Sequence, residues 1–243
     1  MNENIISPSI ESIRLFESHI FELMLYTRRP ETEIINLISN SMTERNKEWE
    51  KYSEYSIIDF HRLNESNIYC LSKWNCEEKY QSIIRYINYI AKIKKGDILD
   101  FGGGIGELSI NLASGKNKVD FLEVPSKTLE YAKWRFRKRF LDIDIYTSLN
   151  QVKKEYDIII CLDVFEVLEK PLSHLKKFYS LLKDDGLLIF NMGKVGIKEH
   201  PMNLKNNQGF FDNIEKYCQD IGFIDTNYKN EFNIKVKQKS FVN

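Results

Sequence analysis

The chain has 243 residues, of which 42% are hydrophobic and 29% are charged, a composition typical of a folded protein rather than a disordered one. Lysine and arginine together number 35, as do aspartate and glutamate, so no net charge attracts nucleic acid at long range. The four cysteines and four histidines are dispersed, which favours neither a disulfide framework nor a zinc site.

The N-terminal segment lacks the features of a secretory leader. It carries acidic residues where a signal peptide carries basic ones, and no stretch of the chain approaches the ~20 apolar residues of a membrane span. We therefore expect a cytoplasmic protein that does not associate with a membrane.

Residues 1–95 are predicted to form an all-helical N-terminal cap, because they contain no glycine and no alternating apolar pattern. A second helix is expected to open at Pro30, where proline and glutamate begin a first turn. A further amphipathic helix is predicted over residues 76–93. In the first helix the apolar residues at helical spacing are Ile10, Ile13, Phe16, Ile20, Leu23 and Leu25, and in the last they are Ile83, Ile84, Ile87 and Ile90.

Residues 96–243 alternate between short apolar runs and amphipathic segments, which predicts a separate α/β domain. The expected fold is a Rossmann-like, open, mostly parallel seven-stranded sheet whose last strand is antiparallel. Predicted strands cover residues 97–101, 118–124, 142–148, 156–163, 187–193, 223–228 and 232–240. Predicted helices cover residues 105–114, 125–140, 171–186 and 209–222, the third of them ending at a glycine cap, Gly186.

The segment Gly102–Gly106 concentrates four glycines directly after the first predicted strand. Such a turn lets the backbone approach a ligand closely and points the next helix's free N–H groups at it. The dinucleotide pattern G-x-G-x-x-G fails, because its last position falls on Glu107. The pattern D-x-G-x-G-x-G fits instead, at Asp100, Gly102, Gly104 and Gly106.

At these residues the sequence resembles the class I S-adenosylmethionine-dependent methyltransferases. The resemblance implies that the glycine turn binds the amino-acid part of S-adenosylmethionine, and that S-adenosylhomocysteine is the product. An acidic residue ending the second strand holds both ribose hydroxyls in this family, and Glu123 is in that place, with Val124 to pack under the adenine. The alternative for each feature is structural: a tight connection for the turn, and a surface position for Glu123.

The segment after the fourth predicted strand resembles the family's loop that faces the transferred methyl group. Asp163 and Glu166 match this loop and are candidate catalytic residues, Asp163 also being a candidate cofactor contact. Val167 stands where many members have histidine, so no histidine base is expected there. The alternative is that Asp163 and Glu166 merely cap the next helix.

His200, which follows the fifth strand, is the candidate general base for an acidic acceptor, with an ordinary loop histidine as the alternative. His61 and His174 are expected to lie away from the site, with entry of His61 from the cap as the alternative. We predict no metal, because Asp163 lacks further acidic or amide partners in the sequence. In the cap, Tyr69 and Trp74 are the aromatic residues most suited to contact the cofactor, with core packing as the alternative.

The basic and aromatic run at residues 133–140 invites a nucleic-acid interpretation. Its apolar residues recur at helical spacing, so we expect Leu129, Ala132, Phe136 and Phe140 to face the sheet. The cations Lys133, Arg135, Arg137, Lys138 and Arg139 are then expected to form a solvated face. A nucleic-acid partner is therefore not favoured.

The leading functional hypothesis is a methyltransferase that acts on O, N or C of a small molecule, as in secondary metabolism. The alternatives are an RNA or protein methyltransferase and a non-catalytic protein that binds S-adenosylmethionine and serves a partner. The helical N-terminal region is a candidate surface for a homodimer.

Overall fold

The computed structural model describes residues 9–52, 56–198 and 200–240, which form a three-layer α/β/α fold with a helical cap. The helices are α1 (Ile10–Thr27), α2 (Glu31–Tyr52), α3 (Ile57–Leu63), α4 (Asn67–Asn75), α5 (Glu78–Lys94), α6 (Glu107–Ser114), α7 (Lys127–Lys138), α8 (Pro171–Leu181), α9 (Gln208–Asp212) and α10 (Ile214–Ile221). The strands are β1 (Asp97–Phe101), β2 (Lys118–Leu122), β3 (Asp144–Tyr146), β4 (Tyr156–Cys161), β5 (Leu182–Phe190), β6 (Phe223–Asp225) and β7 (Lys235–Lys239).

The strands form one seven-stranded sheet in the order β3-β2-β1-β4-β5-β7-β6. The strands from β3 to β5 pair in parallel, and β7 is antiparallel to both β5 and β6. This architecture confirms the predicted fold class, including the antiparallel last strand. Strand order reverses direction around β1 and β4, where parallel sheets of this type place their ligands.

Both faces of the central strands are covered by helices, as their continuous apolar sequence predicts. Ile158 and Ile160 of β4 belong to the apolar cluster formed with α5 and α6. Ile159 and Cys161 belong to the cluster formed with α8 and α10 on the opposite face. The four isoleucines predicted for α5 are all buried, in the first of these clusters. Helix α5 thus packs on the sheet although it belongs to the helical region, and the boundary at residue 95 stays a prediction.

The cap consists of α1–α4, and it contacts the sheet domain in two places. On one side, Ile20, Leu23 and Ile38 form an apolar cluster with Ile105 and with Tyr131 of α7. On the other side, residues of α3 pack against Met202 from the segment that follows β5. The helical prediction is confirmed for the described residues of this region. None of the described helices is both long and apolar enough to cross a bilayer.

The predicted apolar stripe of α1 is partly wrong. Ile20 and Leu23 are buried, whereas Ile10, Ile13 and Leu25 are exposed. The helix buries its remaining contact surface through polar groups: His19 is also buried, and Glu22 pairs with two arginines of the neighbouring α7 region. Helical periodicity in the sequence therefore identified the helix but not the side of it that faces the protein.

The largest correction concerns Arg135, which was predicted to lie on a solvated face but is only 2% exposed. Its Nε donates to Glu22 of α1 at 2.9 Å, and its Nη2 donates to Glu107 of α6 at 2.6 Å. Its Nη1 donates to the carbonyl of Ile105 at 2.9 Å. Arg139 also pairs with Glu22. The buried cation of Arg135 has hydrogen-bond partners in α1, in the glycine turn and in α6, and it thereby joins the cap to the sheet domain. These contacts decide its position, although the local charge pattern predicts exposure.

Two helix ends also differ from the prediction. Helix α7 ends at Lys138, and Phe140 is 95% exposed while Leu141 packs against the cluster in its place. Helix α8 ends at Leu181, and Gly186 lies inside β5 rather than at a helix cap. Leu182 is buried and pairs with Tyr156 of β4, so apolar burial and strand pairing override the glycine signal.

Candidate active site

A cavity of about 1010 Å³ lies between the carboxyl ends of the central strands and the helical cap. Its lower wall, called here the sheet wall, is formed by Gly102–Gly104, Glu123, Asp163 and Glu166 and their neighbours after β1, β2 and β4. Its upper wall, called here the cap wall, is formed by Arg45, His61, Trp74 and His200 and their neighbours. A cavity at this edge of a parallel sheet is the expected ligand site of the fold.

The glycine turn lines the cavity through Gly102, Gly103 and Gly104. Gly102 and Gly104 have φ angles of 71° and 60°, in the left-handed region that other residues adopt only at a cost. A Cβ on Gly102 would lie 2.4 Å from Cγ2 of Val164, so this position has no room for a side chain. The turn therefore presents bare backbone to the cavity.

Gly106, the last glycine of the motif, lies between two helices. It lies outside the lining of the cavity, and a Cβ there would lie 2.5 Å from the ring of Phe136 in α7. Its φ of 77° and its place before α6 show a packing function. The third glycine of the motif therefore allows α6 and α7 to approach closely, and Gly102 and Gly104 provide the ligand-facing backbone.

Glu123 lies directly beside this turn, at the end of β2. Its Oε2 accepts a hydrogen bond from the N–H of Gly104 at 3.0 Å, and its Oε1 accepts one from the N–H of Val124 at 2.8 Å. Burial raises the pKa of Glu123 to about 7, despite these hydrogen bonds. Each oxygen keeps a further lone pair, so the carboxylate can accept from two ligand hydroxyls while it holds the turn. Val124 lines the cavity next to it.

Asp100, at the end of β1, supports the turn from below and lines the cavity. Its Oδ2 accepts from the hydroxyl of Ser109 in α6 at 2.6 Å. Burial raises the pKa of Asp100 to about 6. The carboxyl thus ties β1 to α6 across the glycine turn.

Asp163 and Glu166 both lie in the cavity wall, as predicted. Asp163 has a φ of 53°, and Asn191 holds it in a reciprocal pair: Oδ1 of Asn191 accepts from the N–H of Asp163 at 2.6 Å, and Nδ2 donates to Oδ1 of Asp163 at 2.7 Å. Oε1 of Glu166 accepts from the N–H of Gly193, while its Oε2 is buried and has no hydrogen-bond partner among the described residues. Burial and then the charge of Asp163 raise the pKa of Glu166 to about 7.

The cap wall combines an arginine with three aromatic rings. The guanidinium carbon of Arg45, in α2, lies 4.6 Å from the centroid of the Trp74 ring. Nη2 of Arg45 lies 2.9 Å from Nδ1 of His200. Because arginine only donates, this nitrogen of His200 is an acceptor, and the neutral ring carries its proton on Nε2. Burial, followed by the charge of Arg45, lowers the pKa of His61 to about 4.

The structure favours the alternatives for two residues of the cap and differs from the expectation for one histidine of the sheet domain. Tyr69 lies outside the cavity lining and belongs to the apolar cluster that joins the cap to α7, in line with the core-packing alternative. Leu71 and Trp74, further along α4, line the cavity instead. His61 and His174, which were expected to lie elsewhere, both line the cavity. A helix presents only one side to a ligand, and sequence alone does not show which.

Arg45 and Asn191 line the cavity but were not predicted as site residues from the sequence. Arg45 stands in a strongly charged stretch of α2, where charge indicates a solvated surface, so no local signal distinguishes it. Asn191 directly follows β5 and could have been found from its position at the ligand-binding edge. Within the described ranges, no three or more His, Cys, Asp or Glu residues are grouped so as to hold a metal ion.

Comparison with known proteins gives a family and a set of distant relatives. A family profile described as a methyltransferase domain matches residues 77–219. The ubiquinone biosynthesis O-methyltransferase of Rickettsia typhi is 27% identical over 146 residues, which are 59% of this chain and 54% of the relative. The chain thus spans about half the length of the curated relatives it matches.

Solved structures show the same fold. An O-methyltransferase family protein from Burkholderia thailandensis has a TM-score of 0.58 at 13% identity, covering 85% of this chain and 72% of that one. The magnesium protoporphyrin IX methyltransferase of Synechocystis, solved with bound SAH, has a TM-score of 0.51 at 22% identity, covering 66% of this chain and 81% of that one. At these identities the likeness concerns the fold.

Proposed function

The chain belongs to the family of methyltransferase domains, and from this premise we propose that it methylates an oxygen of a small molecule, with S-adenosylmethionine as the methyl donor. The cavity supports this proposal, because it brings the bare backbone of the glycine turn and the carboxylate of Glu123 together beside the helical cap. Distant relatives named as O-methyltransferases support oxygen as the accepting atom.

The residues of the sheet wall fit the proposed cofactor. Gly102 and Gly104 leave the space that a Cβ would fill, and Glu123 offers one free lone pair on each oxygen to the two ribose hydroxyls. Val124 and Asp163 also line the cavity, and we expect Val124 to contact the adenine and Asp163 the methionine part. When bound, S-adenosylmethionine supplies a methyl group on a positively charged sulfur, a good leaving group for in-line displacement.

The protein's own contribution is then alignment, exclusion of water and removal of one proton. The cap covers the cavity and contacts both sides of the sheet domain. Glu166 suits proton removal better than His200, because its Oε2 has no hydrogen-bond partner in the described chain and its pKa is raised to about 7. His200, in the observed arrangement, uses its acceptor nitrogen to bind Arg45.

The first experiment is calorimetric titration with S-adenosylmethionine, for the full chain and for Glu123→Ala. We expect micromolar binding, about −8 kcal/mol, and a loss of about 30-fold or more in the variant, because hydrogen bonds to a charged group contribute roughly 1.5–3 kcal/mol. Glu155→Ala is the matched control, since Glu155 is exposed and lies outside the cavity lining. Transfer of labelled methyl to a panel of phenols and hydroxy acids then tests oxygen as the acceptor. A chain that binds no S-adenosylmethionine would contradict the proposal.

A further inference from the structure

Arg45 lies at the centre of the cap wall and is only 5% exposed. Its guanidinium lies over Trp74 and donates one hydrogen bond, to His200. Its Nε is buried and has no hydrogen-bond partner, and no carboxylate pairs with it among the residues that the structure describes. A buried cation with five donors and one partner is an incomplete arrangement.

Arg135 shows how the same chain treats a buried arginine whose role is structural. It is buried to the same degree, but two carboxylates, Glu22 and Glu107, surround it, and a backbone carbonyl accepts a third hydrogen bond. Burial without compensation lowers the pKa of Arg45, whereas the carboxylates raise that of Arg135. Since an unpaired buried charge is costly, the compensation for Arg45 is expected from something that enters the cavity.

His61 lies in the same part of the lining and reinforces this conclusion. Its Nε2 is buried and has no hydrogen-bond partner within the described chain. Its pKa of about 4 keeps the ring neutral near pH 7, so the fixed charge at this place is that of Arg45. One guanidinium with one neutral imidazole matches a group that carries a single negative charge and several acceptor oxygens.

Arg45 and Glu123, the residue proposed to bind the ribose, are associated with different strands of the sheet. Glu123 follows β2, and His200, the partner of Arg45, belongs to the segment after β5. In the strand order β2-β1-β4-β5 the strands that precede these two residues are three strand spacings apart, roughly 14 Å. Arg45 therefore enters the cavity from the cap with a partner that follows β5, whereas the ribose-type carboxylate follows β2.

We propose that Arg45, positioned by Trp74 and His200, binds a carboxylate on the methyl acceptor, so that the substrate is a hydroxyl-bearing organic acid. This inference rests on the proposed function and adds the substrate's charge. In this proposal the carboxyl groups of the sheet wall serve the cationic donor, and the guanidinium of the cap wall serves the anionic acceptor. The lining also contains lysines at positions 79, 170, 177 and 194, which add positive charge to the cavity.

The test uses the full chain saturated with S-adenosylhomocysteine and titrated with 2-, 3- and 4-hydroxybenzoate and with the three matching hydroxybenzamides. These pairs have the same shape and differ in charge. We expect at least one hydroxybenzoate to bind about 10-fold or more tighter than its amide, because charge-assisted hydrogen bonds are about twice as strong as neutral ones. The variant Arg45→Gln should remove this preference, with S-adenosylhomocysteine affinity within about twofold of wild type.

Arg62→Gln is the matched control, since Arg62 is half exposed on α3 and lies outside the cavity lining. If Arg45→Gln does not fold, Arg45→Lys takes its place as the variant. The preference for hydroxybenzoates over hydroxybenzamides is measured on the wild-type chain and does not depend on either variant. Equal binding of acids and amides, or binding of neither, overturns the inference. A variant that loses S-adenosylhomocysteine affinity and keeps the carboxylate preference also overturns it, and assigns Arg45 to the cofactor. Failure of wild type to bind S-adenosylhomocysteine at all contradicts the proposed function instead.

Discussion

The sheet wall and the cap wall of the cavity are built on different principles. The sheet wall is made of chain reversals at the ends of parallel strands, so Gly102, Glu123 and Asp163 are brought together by topology. The cap wall is made of side chains that are distant in the chain: Arg45 and Trp74 come from helices of the cap and His200 from the segment after β5, and they meet through packing. The comparison teaches that one wall can be recognised from local sequence motifs, whereas the other depends on how separate helices are oriented.

The two walls remain opposed only if the cap stays docked, and the largest expected effect follows from breaking that connection. Arg135→Gln should lower the free energy of unfolding by about 3–5 kcal/mol, because it leaves the buried Glu107 without its arginine and leaves Glu22 with Arg139 alone. Urea denaturation followed by circular dichroism measures this. Arg137→Gln, an exposed position on the same helix, should change stability by less than about 0.5 kcal/mol. Equal effects of the two variants would show that the buried pair does not hold the cap.

The sheet wall should make stability depend on pH in a defined direction. The pKa of Asp100 is raised to about 6, and the pKa values of Glu123 and Glu166 to about 7, all chiefly by burial. At these three carboxyl groups the folded state holds more protons than the unfolded state above pH 4.5, so their stabilising contribution is complete below that pH and is lost as the pH rises through 7. His61 acts in the opposite direction, because its pKa is lowered from 6.5 to about 4, but it is one group against three. We expect the ligand-free protein to lose at least ~2 kcal/mol between pH 5 and pH 7.

The variant Glu166→Gln sharpens this test, since an amide does not titrate. It should reduce the slope of unfolding free energy against pH between 5 and 7, whereas Glu155→Gln at an exposed position should leave the slope as it is. Stability that rises with pH over this interval would contradict the raised pKa values. Glu123 binds ligand hydroxyls best as a carboxylate, so S-adenosylmethionine affinity should increase as the pH rises through about 7.

A side chain on the glycine turn should damage the sheet wall alone. Gly102→Ala places a Cβ 2.4 Å from Val164 at a φ of 71°, and strain of this type costs of order 1–3 kcal/mol. We expect S-adenosylmethionine affinity to fall about 10-fold or more, as measured by calorimetry. Gly209→Ala is the control, because a Cβ there meets nothing within 4 Å. Unchanged affinity in Gly102→Ala would mean that the cofactor does not use this turn.

The smallest expected effect distinguishes two aromatic residues of α4. Tyr69 lies outside the cavity, so Tyr69→Phe should leave the affinities for S-adenosylhomocysteine and for hydroxybenzoates within about twofold. Trp74→Phe should weaken hydroxybenzoate binding by several-fold, because a smaller ring gives Arg45 a weaker cation–π contact, worth roughly 0.5–2 kcal/mol. Parallel titrations measure both. A larger effect from Tyr69→Phe would reverse the assignment of the helix face.

Sequence was informative where one local motif determines one structure. The D-x-G-x-G-x-G spacing and Glu123 predicted the glycine turn and its neighbour, since both follow strands whose apolar runs are unmistakable. It was uninformative for Arg45 and wrong for Arg135, which stand in similar charged helices and are both buried. Arg45 is 29 residues away from Trp74 in the chain, and Arg135 is 28 residues away from Glu107, so no local pattern contains either pair.

The two attachments of the cap differ in their chemistry, and the difference has a consequence for ligand binding. The attachment at α1 is made by the ion pairs of Glu22 with Arg135 and Arg139, none of which lines the cavity. The attachment at the segment after β5 combines apolar contacts around Phe60 and Met202 with the contacts of Arg45 and Trp74 to His200. A ligand that binds Arg45 therefore acts directly on the second attachment and leaves the ion pairs of the first untouched.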